Sequence, residues 1–355
     1  MLRRTLLCAL TALLSTRAFA ATAAAPDSGA APPPPAAAAG TDSASAAGLA
    51  RPGAARADRA IAAGADTLPL RLPILQTLGD APDGRAALAE PSGVAADAFG
   101  RVYVTDAAQH RLVRFDADGR WLGEAGALGS DPGELRRPAG VTAVGSLGVA
   151  VLDRENRRIV LYDLFGRLVG VLADLAALED ELGRLDPVAL SADRGGALYV
   201  ADADGDRVLV LDFAGRYVRT LGGFGAGPGS FRGLAGLGAE PRGGLACAER
   251  TGARAQRLDA AGSARAVWPL AVKPGRGWLA VAVDDSARVA IADEAGGSLW
   301  LFDREGRLLG ARTGLAAPRA LAFAPDGSLL VAEAAAGRVR RLALEPVGAP
   351  APSGR

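Results

Sequence analysis

The side chains best able to do chemistry here are arginines set in polar stretches. They occur in Gln109-His110-Arg111, in Asp131 to Arg137 with Arg136 and Arg137 at its end, in Arg154-Glu155-Asn156-Arg157-Arg158, and singly at Arg232 and Arg319. A guanidinium offers a planar fork of N–H donors, so such a set suits carboxylates or phosphates on a partner, held by paired hydrogen bonds. Catalysis has less to work with. His110 is the single histidine, which removes multi-histidine zinc sites, and there is no G-x-S-x-G elbow, Walker lysine motif or dinucleotide fingerprint. No catalytic residue, metal ligand or cofactor is assigned. The chemistry expected is recognition.

These groups must be positioned by short strands. The chain has 355 residues, half of them hydrophobic, broken up by 47 glycines and 22 prolines, a texture of many strands and turns. Net charge is +1, too close to neutrality to suggest nucleic acid as a partner. Lys273 is the only lysine, so arginine counts alone carry little weight. Residues 1–20 read as a secretory leader: Arg3-Arg4, an apolar run from Leu6 to Leu14, then Ala18-Phe19-Ala20. Export to the periplasm or the extracellular space is expected. No stable membrane insertion follows if the leader is cleaved; an uncleaved leader would make the protein an anchored sensor ectodomain. Cys8 lies in the leader, which leaves Cys247 without an intrachain disulfide partner and suits it to a buried apolar position. Residues 21–65, rich in Ala and Pro with a Pro32 to Pro35 run, read as a disordered linker, and residues 347–355 as a tail.

Residues 66–346 repeat. Aligned on an acid that ends a strand, the units carry Asp106, Asp153, Asp202, Glu249, Asp293 and Glu333. Five residues on stand Arg111, Arg158, Arg207, Arg254, Ser298 and Arg338, and thirteen on stand Gly119, Gly166, Gly215, Gly262 and Gly306. Columns that hold register across units of unequal length mark a real repeat. Within each unit, apolar runs alternate with turn residues to give four short antiparallel strands, and such a unit repeated radially is a propeller blade. The fold expected is all-β: a six-bladed β-propeller of four-stranded antiparallel blades. The sixth unit lacks a fourth strand, and Leu72 to Gly79 resembles the fourth strand Arg216 to Gly222, so the N-terminal strand is expected to complete the last blade.

Pro91-Ser-Gly-Val-Ala, Gly100 to Asp106, Arg111-Leu-Val-Arg-Phe-Asp and the connector Gly222 to Phe231 resemble NHL repeats, over about Leu68 to Glu345. The fourth unit departs most, with Leu234 where Pro91 stood and Arg242-Gly-Gly opening its second strand. The resemblance implies that the loops between second and third strands share one face with the connectors between blades, and that this face binds things. Ligand-binding candidates there are Gln109, His110, Arg136, Arg137, Arg154, Glu155, Asn156, Arg157, Arg232, Trp278 and Arg319. Trp278 replaces the proline that opens an innermost strand, placing it at the channel mouth where it could stack on a sugar or peptide ring.

The function expected is an extracytoplasmic recognition module, monomeric, that engages an envelope protein, a peptide or an anionic glycan. The rival is a metal-assisted propeller lyase or lactonase. Against that rival, the innermost strands contain no acid, Asn or His; the acids at their far ends, Asp97, Asp193, Glu240 and Asp284, suit turn capping. Leu172, Leu175, Leu178 and Leu182 predict one short helix after the second blade.

Overall fold

The structure, a computed structural model, describes residues 68–347 apart from 80–83, 85, 146, 147 and 276. The leader, the linker and nearly all of the tail lie outside the described residues.

Six four-stranded antiparallel sheets follow one another along the chain. Blade one is Pro91–Ala96, Val102–Asp106, Arg111–Phe115 and Trp121–Ala125, and the next four blades repeat this order from the inside outward. Blade six takes Pro318–Phe323, Leu329–Glu333 and Arg338–Leu342 from the C-terminal end and Ile74–Leu78 from the N-terminal end, with Leu78 opposite Val339. A second short pair, Leu70–Arg71 with Glu345–Pro346, clasps the same junction. The innermost strands touch in sequence and the sixth touches the first, so the ring is closed. The expected closure by the N-terminal strand is what the sheet order shows.

Strand alternation puts apolar side chains on both faces of each blade, and these meet in six layers, one per seam between neighbouring blades. Leu78, for example, lies among Val102 and Val104 of blade one and Leu330 and Val339 of blade six. Cys247 is buried in the layer between blades three and four, and burial pushes its thiol well above the ordinary range.

The glycine column has a steric origin. Gly119, Gly166, Gly215, Gly262 and Gly306 take φ between +78° and +89°, where a Cβ is strained. At each, a Cβ would also run into the blade before it: Gln76, Arg114, Leu172, Leu221 and Trp268 respectively. The turn joining third and fourth strands therefore rests directly on the previous blade.

The acid and arginine columns lock the connectors. Asp153 accepts from the Arg136 N–H at 2.7 Å and from Arg158 Nε at 2.8 Å, while Arg158 donates to the carbonyls of Ser130, Asp131 and Glu134. Arg254 and Glu249 repeat the arrangement in blade four. In blade five, where Ser298 interrupts the column, Arg250 of blade four fills the vacancy: buried at 2% exposure, it donates to Asp293 at 2.7 Å.

Two expectations need correction. Residues 172–174 do not belong to a helix; they continue the strand Leu168–Asp174, because pairing with Arg158 and Ile159 outweighs the leucine spacing. Only a single turn of 3-10 helix, Ala176–Leu178, and the four-residue helix Glu179–Leu182 follow, with Leu175 fully buried beneath them. Among the acids expected to cap turns, Asp97, Asp193 and Asp284 accept turn N–H groups, whereas the Glu240 side chain is held by Arg257 instead.

Candidate functional site

The connectors and the loops between second and third strands do share a face, as the hydrogen bonds from Arg158 and Asn156 to the connector before blade two require. At its centre the innermost strands begin, and there three of the predicted residues meet. The Trp278 ring, from blade five, lies under the guanidiniums of Arg154 from blade two and Arg319 from blade six, at 5.0 and 4.9 Å from the ring centroid. Blades two and five stand opposite each other in a ring of six, so Arg154 spans the channel mouth. Each cation–π contact is worth about 0.5–2 kcal/mol, the more so when desolvated. Beneath this bridge a pocket of only about 60 Å3 remains, with a second of about 220 Å3 toward the other end of the channel.

Around the bridge the arginines are neutralised by the candidate Glu155 and by three acids that the sequence did not single out, Glu90, Asp186 and Glu294. Arg137 donates both ways to Glu90, at 2.9 and 3.0 Å, and lies 3.8 Å from Glu155. Arg319 donates to the same Glu90 at 2.5 Å and lies 3.9 Å from Glu294, which accepts the Trp278 N–H. Arg154 pairs with Asp186 at 2.6 Å. Their positions give the signal that could have found them: Glu90 and Asp186 each precede an innermost strand, and Glu294 follows the second-strand acid of blade five.

The other candidates divide into structural and free groups. His110 and Arg157 hold equivalent left-handed turn positions, at φ 55° and 50°, shared by Asp206, Ala253, Gly297 and Gly337 in the other blades. The Nδ1 of His110 accepts the Arg137 N–H at 3.0 Å. Asn156 donates to Asp153 and to the Gly129 carbonyl, Gln109 accepts from Arg111, and Arg157 pairs with Glu179. Arg136 and Arg232 differ. Arg136 is exposed and its guanidinium has no partner among the described residues; Arg232 is half-buried with its Nε unsatisfied. They are equivalent residues of two alike connectors, each pinned by one isolated bridge, Leu128 with Leu135 and Phe224 with Phe231. Both connectors also expose an apolar tip, Leu128 at 60% and Phe224 at 80%.

The fold has solved counterparts. A streptogramin B lyase matches with a TM-score of 0.56 at 14% identity, over 79% of this chain and 100% of that one. A calcium-binding regucalcin from Agrobacterium tumefaciens strain C58 matches at 0.55 and 16% identity, over 78% and 96%. A gluconolactonase from Xanthomonas campestris matches at 0.54 and 16% identity, over 72% and 86%. At such identities the likeness is one of fold. No protein-family model and no curated protein matches the chain, so the similarity to NHL repeats rests on the repeat residues alone.

The channel mouth does not fit a metal centre. The innermost strands offer no acid, Asn or His, the nearby carboxylates Glu90 and Glu294 are engaged with Arg137, Arg319 and the Trp278 N–H, and among the described residues no three His, Cys, Asp or Glu side chains gather.

Proposed function

We propose that this chain is an exported recognition module whose connector face docks an acidic segment of a partner protein or peptide. The observation that carries this reading is the pair of alike connectors, each offering an exposed apolar tip beside a guanidinium with no partner of its own, Leu128 with Arg136 and Phe224 with Arg232. Arginine and aromatic residues, here Arg136, Arg232 and Phe224, are the types enriched among the anchors that supply most of the binding energy at protein interfaces. The remaining arginines of the face are charge-compensated, and so serve as a rigid frame. An anionic glycan is supported less, because the Trp278 π-face that would stack on a sugar is engaged by Arg154 and Arg319. The leader read in residues 1–20 supports an extracytoplasmic setting. A lyase or lactonase reading has the fold behind it, but no ligand set at the mouth.

The test is native mass spectrometry of the full chain purified gently from its host's envelope fraction, beside the variant R136A/R232A. Loss of a charge-assisted contact is worth about 1.5–3 kcal/mol, so the variant should bind its partner at least a hundredfold more weakly with an unaltered melt. A protein or peptide retained by the wild type and lost by the variant is the expected result. A partner held equally by both, or a stoichiometric metal, would overturn it.

A further inference from the structure

On the face opposite the connectors, the turn between third and fourth strands of each blade leans on the blade before it, and at three seams a side chain latches it there. Gln76 donates to the Asp118 carbonyl, Arg114 donates to the Leu164 carbonyl at 3.5 Å, and Arg219 donates to the Ala260 carbonyl. At the seams between blades two and three and between blades four and five, no side chain of the preceding blade among the described residues hydrogen-bonds the corresponding turn, at 212–216 and 303–307.

In blade four an arginine stands opposite alanine where blade one sets it opposite tyrosine: Arg114 faces Tyr103 across its strand pair, and Arg257, at the equivalent position, faces Ala246. The Tyr103 hydroxyl donates to Asp97 at 3.0 Å, and Tyr199 treats Asp193 alike in blade three. With alanine in that place, Glu240 has no phenol to accept from and takes the Arg257 guanidinium instead, at 3.0 Å through Nη2. Arg257 is thereby held by Glu240 at the seam, where the Glu305 carboxylate of blade five also acts on it. A cleft of about 640 Å3 opens at the seam.

The walls of the cleft are guanidiniums interleaved with carboxylates. Arg257 pairs with Glu240, Arg265 with Asp259 at 2.6 Å, and Arg304 with Glu305 at 3.0 Å. Arg242, exposed on the rim, has no hydrogen bond or ion pair among the described residues. The cleft therefore carries one uncompensated positive charge. Each paired guanidinium keeps N–H groups free, since five donors exceed what one carboxylate accepts. Apolar lining is confined to Leu258, Ala260 and Ala266.

We propose that this cleft is a second binding site, for a small saccharide that bears one carboxylate or phosphate. The volume lies within the range of small-molecule sites. A fork of N–H donors at Arg242 suits the anionic group, and alternating donors and acceptors along the walls suit neighbouring hydroxyls. The paucity of apolar surface disfavours a lipid or an aromatic metabolite. The site is independent of the connector face, and either can fail without the other.

Isothermal titration calorimetry of the full chain with glucuronate, galacturonate and glucose 6-phosphate, and with glucose as the neutral control, tests it. At least one anionic sugar is expected to bind with one-to-one stoichiometry where glucose does not. R242A, at a residue with no intramolecular partner, should melt as the wild type does and bind that sugar about tenfold or more weakly, while R136A/R232A binds it unchanged. Binding by none of the three, glucose binding equally well, or full affinity in R242A would each overturn the proposal.

Discussion

Leu78→Ala isolates the energy that holds the ring shut. Leu78 is 2% exposed, in the apolar layer between blades six and one, on the only strand of blade six that reaches it from the other end of the chain. Removing a buried leucine side chain costs about 2–5 kcal/mol, and a site between two rigid sheets has little freedom to collapse, so about 3 kcal/mol is expected. For a domain of this size that lowers the melting temperature by roughly 6 °C or more. Leu221→Ala is the control, because Leu221 fills the same strand position in blade three at 5% exposure. The two variants lose similar contacts but differ in how they come apart. Ile74–Leu78 can detach without unfolding a blade, so in Leu78→Ala amide exchange in Ile74–Leu78 and Arg338–Leu342 should rise about a hundredfold. Leu221→Ala should leave that segment protected. Hydrogen exchange read by mass spectrometry resolves the segments. If both variants melt alike and the clasp amides of Leu78→Ala exchange no faster than those of Leu221→Ala, the clasp is not the point at which the ring opens.

Arg250→Met should leave Asp293 buried without its guanidinium and cost about 3–5 kcal/mol in chemical denaturation. Adding Ser298→Arg, which restores the repeat's own partner, should recover part of the loss; no recovery would mean that Arg250 acts through its bonds to Gly277 and Trp278 carbonyls rather than through Asp293. The turn aspartates contribute to the loss of stability in acid. Asp163, Asp212 and Asp259 are held below the usual carboxylate range, first by backbone N–H groups of Arg167, Arg216 and Ser263. A depressed folded-state pKa contributes stability that is present above the unfolded value, about 3.9, and lost as pH falls through the folded one. The melting temperature should thus hold from pH 7 to about 5 and decline below about 4. The variant D163N/D212N/D259N, which keeps an acceptor oxygen at each turn, should lose less between those limits, and an unchanged acid slope would count against this account.

The blade count, the innermost strands and the closure were legible because each is written locally and then repeated: a strand-ending acid, its arginine five residues on, a glycine where the turn meets the previous blade. What repeats can be read from one chain. What compensates for a break in the repeat cannot, since the compensating group comes from a neighbouring blade. Ser298 was visible as an exception, but Arg250 as its remedy was not, and Ala246 opposite Arg257 gave no hint that a cleft would lie at that seam. The site was legible in the same measure. Arg154, Trp278 and Arg319 were each found on loop position, yet their meeting across the mouth depends on the ring geometry. Glu90, Asp186 and Glu294 were passed over because an acid beside a strand looks like any solvated turn residue until its guanidinium partner is in place. The leucine spacing after blade two misled at its start because strand pairing competes with helical period, and two residues there, Ala173 and Asp174, had a strand to pair with.

The origin of the fourth strand of blade six also fixes an order of events. In a chain made from its N-terminus, Ile74–Leu78 emerges early and has nothing to pair with until Arg338–Leu342 has been synthesised. Contacts this distant in sequence are slow to form, so the ring closes last at the junction of blades six and one, after each interior blade has had its own strands at hand. A product that stops before Arg338 cannot close. It carries an orphan strand at one end and an unpaired blade edge at the other, surfaces that invite aggregation and proteolysis. Ring closure is therefore available only to a chain that extends through Arg338–Leu342.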